Sequence, residues 1–372
     1  MRDVDRKQIV NRARRVIVKV GSSVLIDSSR GLQTGSFNNL AKQIGALRDK
    51  GRQVILVSSG AIAAGIAKMG LSHRPHDISQ KQALAAIGQS RLMQLYEHAF
   101  ERYGTKVAQV LLTHDDLAHR RRFLNARDTL HALLSYKALP IINENDTVAV
   151  HEIQFGDNDR LAALITHLLE ADLLILLTNV DGLLGPDSRP IPCVERIDDS
   201  IKKGARDDKS PFGLGGMKAK LEAAQIATSF GVPTIIANGF TPHILERLFE
   251  GESLGTLFLP HSKKLQARKH WIAHTLRSKG GVVVDSGAEA AVLNGKKSLL
   301  PSGIVAIRGH FDRGEMIDIL NEKGETLAKG LTGYASEELE KIQGLKSSQI
   351  ESVLGYKYGD EAIHRDNLVI SE

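Results

Sequence analysis

One cysteine, Cys193, stands in the 372-residue chain, so no intrachain disulfide can form and a reducing compartment suits it. No apolar run approaches the ~20 residues a membrane span needs; the densest, Leu173-Leu174-Ile175-Leu176-Leu177, is the size of a strand. The N-terminus carries Arg2, Asp3, Asp5, Arg6 and Lys7 with no apolar stretch behind them, which excludes a secretory signal. Metal and nucleophile motifs are missing too. His151-Glu152 is followed by Phe155 where a zinc-binding HExxH needs its second histidine, Cys193 has no CxxC partner, and no GxSxG occurs. A phosphate-binding P-loop also fails: Gly60 and Gly65 are spaced for one, but Ile66 occupies the lysine position. Gly295-Lys296 has Ala290 upstream and Lys297 after it. With 34 glycines, 10 prolines and 25% charged residues, disordered, collagenous and coiled-coil classes drop out. These absences predict a soluble, cytoplasmic globular protein without membrane contact.

What is present is enough apolar material, 42% of positions, to bury substantial cores, and a length that predicts two or three domains. The net charge of +6 is unevenly spread: residues 277–372 carry 12 Lys and Arg against 15 Asp and Glu, a balance of −3, leaving +9 on the rest. A basic body attracts anionic small molecules or nucleic acid. Strand-like and helix-like segments alternate through residue 260. Strands are predicted at 15–20, 53–57, 106–112, 140–143, 173–177 and 233–236, and helices near 36–50, 80–102, 120–137, 157–170 and 216–230. The alternation predicts an α/β/α sandwich with a mostly parallel sheet, and the unbroken run 173–177 reads as a strand covered on both faces. Beyond a basic stretch (Lys263, Lys264, Arg268, Lys269, Arg277), short strands at 281–284, 302–310, 315–320 and 326–332 and a helix near 335–343 predict a small β-rich module.

Three Gly/Ser-rich turns follow predicted strands or precede a helix: Gly21-Ser22-Ser23, Ser58-Ser59-Gly60 and Gly213-Leu214-Gly215-Gly216. Small residues let backbone N–H groups approach an oxyanion, and a helix start adds a favourable dipole. One such turn is ordinary in an α/β protein. Three, with Lys19 before the first and Lys218 and Lys220 after the third, point to phosphate handling. The densest polar segment is Asn143-Glu144-Asn145-Asp146-Thr147, followed by Gly156-Asp157-Asn158-Asp159. Turn chemistry and a helix cap at Asp157 or Asp159 account for part of it. The first cluster, however, follows an apolar strand, where α/β proteins place ligand sites. Its short side chains could bind a substrate ammonium group, hold Mg²⁺ or orient the lysines.

Taken in order, Val18 to Ser23, Val57 to Ile62, Leu124 to Leu130, Pro140 to Thr147 (PIINENDT), Phe155 to Asp159 (FGDND) and Gly215 to Met217 resemble the amino acid kinase family, in its glutamate-phosphorylating branch. Leu299 to Ile304, Arg313-Gly314-Glu315 and His364 to Asn367 resemble a PUA domain. The resemblance covers the chain except about its first 14 residues. It implies an N-terminal extension at 1–14, an amino acid kinase domain at 15–262, a basic connector at 263–276 and a PUA-like domain with a tail at 277–372. It also implies ATP-dependent phosphorylation of the γ-carboxylate of L-glutamate, the first step of proline biosynthesis. Other kinases of the family, acting on acetylglutamate, aspartate or uridylate, share the lysines and glycine turns but not PIINENDT. A purely RNA-binding PUA protein is the alternative from a different class.

Carried over position by position, Lys19 and Lys220 meet ATP phosphates and Asp159 orients both. Ser59, Asp146 and Asn158 bind glutamate. Thr178, Asn179, Gly215, Gly216, Met217, Lys218 and Ala219 line the ATP site, and Asp157 lies near Mg²⁺. Leu214 and Asn179 depart from the family's usual threonine and aspartate. The resemblance further implies proline as feedback inhibitor, a homo-oligomer, and hand-off of the labile product to a glutamyl phosphate reductase carried on a separate chain. The acidic balance of 277–372 and its four aromatics, Phe311, Tyr334, Tyr356 and Tyr358, argue against RNA binding there.

Overall fold

The computed structural model describes residues 6–27, 31–149, 158–204, 216–260, 278–294 and 297–370. The chain divides into two compact units, Met1–Ala118 with Ala126–Ser262, and His119–Asn125 with Lys263–Glu372. The basic connector at 263–276 and the Gly213 to Gly215 part of the third glycine turn lie outside the described residues, as do Asp157 and Leu214.

The first unit is a layered α/β structure. Its strands are β1 (Arg15–Val20), a small hairpin of β2 (Ile26–Asp27) and β3 (Gly31–Leu32), β4 (Gln53–Ser58), β5 (Val107–Leu112), β6 (Leu139–Glu144), β7 (Leu173–Thr178), β8 (Cys193–Val194), β9 (Thr234–Asn238) and β10 (Thr256–Phe258). Its helical segments begin with α1 (Arg6–Arg12), α2 (Ser22–Leu25), α3 (Thr34–Asp49), α4 (Ala61–Met69) and α5 (Ile78–Glu101). They continue with α6 (His114–Ala118), α7 (Arg120–Ser135, of which the part from Ala126 on groups with this unit), α8 (Asn158–Leu168), α9 (Asp199–Gly204), α10 (Met217–Ser229) and α11 (Ile244–Glu250). The large sheet runs β5-β6-β4-β1-β7-β9-β10-β8. Pairing is parallel from β5 through β9, and β10 turns antiparallel on β9. The sequence reading found the six long parallel strands and missed β8 and β10. Strands of two and three residues have too little pattern to register.

Side chains of β1 alternate between the two faces. Val16, Val18 and Val20 pack into the core built with α1, α3, α5 and α11. Ile17 and Lys19 therefore point to the opposite face, which α8 and α10 cover. Helix α1 joins the core through Val10, as does Ala13 just after it, within the stretch the sequence sets apart as residues 1–14. Because β1 lies between β4 and β7, chain order reverses direction across the sheet there, the topological place where open α/β sheets bind ligands.

Helices α4 and α5 meet backbone to backbone. A Cβ on Gly65 would stand 2.0 Å from the Leu84 carbonyl oxygen, and one on Gly88 1.9 Å from that of Ala61. Glycine inside a helix costs about 1 kcal/mol relative to alanine, so its use at both facing positions reflects the close approach. Gly88→Ala is expected to destabilise the unit by at least about 1–3 kcal/mol, the usual cost of overpacking. Thermal unfolding reads this directly, and an unchanged Tm would mean the two helices can separate freely.

In the second unit a five-stranded sheet runs in the order β12-β11-β13-β14-β15. Its strands are β11 (Gly280–Val284), β12 (Ile304–Arg308), β13 (Met316–Leu320), β14 (Thr326–Leu331) and β15 (Leu368–Ile370), with helices α12 (Ser286–Leu293), α13 (Ser336–Ile342) and α14 (Ile350–Leu354). The Asp285 carboxylate caps α12 by accepting from Ala288 N at 2.7 Å. Phe311 and Tyr334 are consumed by the core. Tyr356 and Tyr358 remain exposed, and the Arg313 guanidinium lies 3.7 Å from the centre of the Tyr358 ring. Among the described residues, no helix is long and apolar enough to cross a membrane.

Candidate active site

The carboxyl ends of β1, β4, β6 and β7 supply the site. Lys19 is 5% exposed in the middle of the sheet, paired in register with Val57 and Leu176. A buried ammonium is tolerated only with a partner, and Asp159 from the first turn of α8 provides one: Lys19 Nζ stands 2.6 Å from Asp159 Oδ1. Lys220, from the first turn of α10, donates to the other oxygen, Oδ2, at 3.1 Å. One carboxylate thus bridges two ammonium groups in a buried place. Burial alone pushes the Asp159 carboxyl up, but the charges and hydrogen bonds of Lys19 and Lys220 outweigh it and hold it at about 2.

The placement of Lys220 has a cost that fold stability does not explain. Helix α10 opens with Met217-Lys218-Ala219-Lys220 and no acidic residue in its first turn, although cations are disfavoured at a helix N-terminus. Both Lys218, which is exposed, and Lys220 therefore add to the positive end of the helix dipole. Such an arrangement suits an anion. Asp159, by contrast, sits favourably at the start of α8. The sequence rule offers Asp159 as a cap; instead its carboxylate is spent on the lysines.

Beside this centre lies a neutral network. Asn158 Nδ2 donates to Ser59 Oγ at 3.0 Å and to Asn143 Oδ1 at 3.1 Å, while Asn158 Oδ1 accepts from Glu144 N at 3.2 Å. Both amide hydrogens of Asn158 are used within the protein, so toward a ligand it offers an oxygen. Ser59 accepts from Asn158 and keeps its own hydroxyl proton to donate. The turn is completed by Gly60, whose φ of +110° favours glycine and which caps α4.

Asp146, two residues beyond β6, is half-buried and lies near Arg74. Burial lowers the Arg74 pKa and the Asp146 charge partly restores it. Thr178 ends β7, buried, with its hydroxyl donating to Asn179 Oδ1 at 3.3 Å; Asn179 is exposed. Gly216, Met217 and Ala219 are partly buried at the start of α10. Gly215 and Asp157 lie outside the described residues. Among the described residues no cluster of three or more His, Cys, Asp or Glu forms a metal cage, and both Asp159 oxygens are engaged by lysines. Such a donor set fits Mg²⁺ carried on substrate phosphates better than a dedicated protein site.

Several participants carry no sequence signal of their own. Asn143 falls inside the PIINENDT segment but has no assigned role there; its amide locks Asn158. Arg74 lies in a connection that reads as plain loop. His114 Nδ1 stands 3.6 Å from Glu144 Oε2, a contact between two elements remote in sequence.

The sequence profile of the amino acid kinase family matches residues 14–238, and that of the PUA domain residues 280–354. A glutamate 5-kinase of Geobacter sulfurreducens is 52% identical over 371 residues, spanning 98% of this chain and 100% of that protein. The glutamate 5-kinase of Geobacter metallireducens gives the same figures. That of Syntrophotalea carbinolica is 50% identical over 373 residues, spanning 99% of this chain and 100% of that protein. The chain belongs to the amino acid kinase family, in its glutamate 5-kinase branch, and carries a PUA domain toward its C-terminal end.

Proposed function

We propose that this chain transfers the terminal phosphoryl group of ATP to the γ-carboxylate of L-glutamate, giving L-glutamyl 5-phosphate for proline biosynthesis. The observation that carries the reading is the buried Lys19–Asp159–Lys220 triad beside the Ser59–Asn158 pair. A γ-carboxylate is already an anionic nucleophile at neutral pH, so no general base is required. What the site must supply is alignment and charge neutralisation on the transferring group. Lys19 and Lys220 do the second, fixed in advance by Asp159 so that little reorganisation is needed during transfer. Mg²⁺ bound with the nucleotide would supply further neutralisation of phosphate charge, and by family resemblance Asp157 would lie near it. Thr178, Asn179 and the segment from Gly215 to Ala219 border the nucleotide in this reading.

Glutamate is held by complementary groups. Ser59 donates its hydroxyl to a substrate carboxylate; Asn158 Oδ1 and the Asp146 carboxylate accept from its α-ammonium. Feedback by proline at this pocket, homo-oligomeric assembly, a cytoplasmic location and hand-off of the acyl phosphate to a reductase belong to the same reading. An RNA role for the PUA domain is disfavoured: two of its four aromatics are in the core and Arg313 covers Tyr358.

Trapping the acyl phosphate with hydroxylamine tests substrate choice. N-acetylglutamate, which has no ammonium group, should show a kcat/KM roughly 10- to 100-fold below that of L-glutamate, the scale of a lost charge-assisted hydrogen bond. Equal hydroxamate yields at sub-saturating concentrations would contradict the assignment of Asp146 and Asn158.

A further inference from the structure

Helix α5 contains polar residues seven apart, and each is bonded to a different segment of the acceptor site. Gln82 Nε2 donates to Ala149 O at 3.2 Å, in the loop after Asp146. Gln89 Oε1 accepts from Asn143 Nδ2 at 2.9 Å. Tyr96, fully buried, shares a 2.7 Å hydrogen bond with Ser58 Oγ. Ser58 in turn donates to the Ser59 carbonyl at 3.1 Å, so the Tyr96 hydroxyl is the donor in that pair. Seven residues fall about 20° short of two full turns, which keeps Gln82, Gln89 and Tyr96 on one stripe, with a rise of about 10 Å per step.

We infer that this stripe of α5 is the positioning element of the glutamate half-site, and that Gln89 and Tyr96 set glutamate affinity without touching glutamate. The inference rests on the functional reading above. Its logic is one of amide orientation. Gln89 Oε1 accepts an Asn143 amide hydrogen and, together with Glu144 N donating to Asn143 Oδ1 at 2.9 Å, holds that oxygen toward Asn158. Asn158 Nδ2 then spends its hydrogens on Asn143 and Ser59, and its Oδ1, which accepts from Glu144 N, keeps a second lone pair for the substrate ammonium. Were Asn143 reversed, two amide NH₂ groups would face each other and Asn158 would turn as well. Tyr96 acts at the other end: through the Ser58 hydroxyl it fixes the Ser59 carbonyl, and so the backbone of the residue from which the Ser59 hydroxyl projects. The Gly65 and Gly88 contact brings α5 close enough for this, by letting it lie directly against α4. Ala85, Leu92 and Ala99 pack into the core beside this stripe, so the two amides and the Tyr96 hydroxyl are additions that core packing does not ask for.

Steady-state kinetics of Gln89→Leu, Gln89→Glu and Tyr96→Phe test the inference, with Tm measured alongside. Gln89→Leu and Tyr96→Phe should each raise the glutamate KM roughly 5- to 30-fold, the scale of one or two lost buried hydrogen bonds. Their ATP KM should stay within about twofold and their kcat should fall much less than KM rises. Gln89→Glu keeps an acceptor for Asn143 and should return the glutamate KM to within about threefold of the parent. An unchanged glutamate KM in both deletions overturns the inference. So does a parallel rise in both KM values tracking a fall in Tm, or failure of the Glu variant to rescue a stable protein. No glutamate turnover by the unaltered chain would instead overturn the functional reading, and this inference with it.

Discussion

Alanine in place of Lys19 or Lys220 should lower kcat by about 100-fold or more in each case, with a modest change in the glutamate KM. This is the scale on which a preorganised charge facing the transition state acts in a site shielded from water. Both ammonium groups are buried on one carboxylate, 2.6 and 3.1 Å from its two oxygens. Neither can be screened by solvent as a surface lysine would be. Because they share Asp159, their effects should not add: the double variant should fall short of the product of the single losses. Saturation kinetics with both substrates decides the matter. A near-normal kcat in either variant would make that lysine a purely structural partner of Asp159.

Asp159→Asn should have the second large effect, and on two observables together. Removing the carboxylate leaves Lys19 and Lys220 facing one another, buried and like-charged. Breaking a buried pair by deleting one partner costs about 3–5 kcal/mol, so Tm should fall on the order of 10 °C and turnover should be lost with it. The pH dependence has a definite sign. The folded-state pKa, about 2, lies below the ordinary aspartate value, so the stabilisation from ionised Asp159 is fully present above pH ~4 and is lost as pH falls toward 2. The Tm difference between parent and Asn variant should therefore shrink as pH drops from about 4 toward 2. A difference that stayed constant through that range would show the carboxylate's charge to be unimportant for folding.

Most of the parallel strands were legible because they are apolar runs long enough to be buried on both faces (β5, at the sheet edge, is only partly buried), and Lys19 stood out as a charge inside one of them. The role of Asp159 was half legible. Local rules see an aspartate at a helix start and predict a cap, while the side chain answers to Lys220, 61 positions away, and to Lys19 on a strand. Gln82, Gln89 and Tyr96 could not be read as site residues at all. Their spacing is visible, but polar residues on a long helix ordinarily face water, and meaning comes only from partners on β4, on β6 and in the loop after β6. The same holds for Arg74, whose loop gives no hint that Asp146 is close. Residues His119–Asn125 group with the second unit although all but the first of them belong to α7, whose helical pattern runs on without a break. A helical pattern carries no information about which core its first turn belongs to.

The central claim, attack by the glutamate γ-carboxylate on the terminal phosphorus of ATP, is tested most directly with an oxygen label. Glutamate carrying ¹⁸O in its γ-carboxylate is turned over with ATP and Mg²⁺, and the product is trapped with hydroxylamine. Attack by the carboxylate places a labelled oxygen between carbon and phosphorus, and hydroxylamine then cleaves the carbon–oxygen bond. The released phosphate should carry one labelled oxygen, in an amount equal to the hydroxamate formed. Phosphate free of label, or phosphate released without hydroxamate, would mean that water rather than glutamate receives the phosphoryl group and would contradict the account.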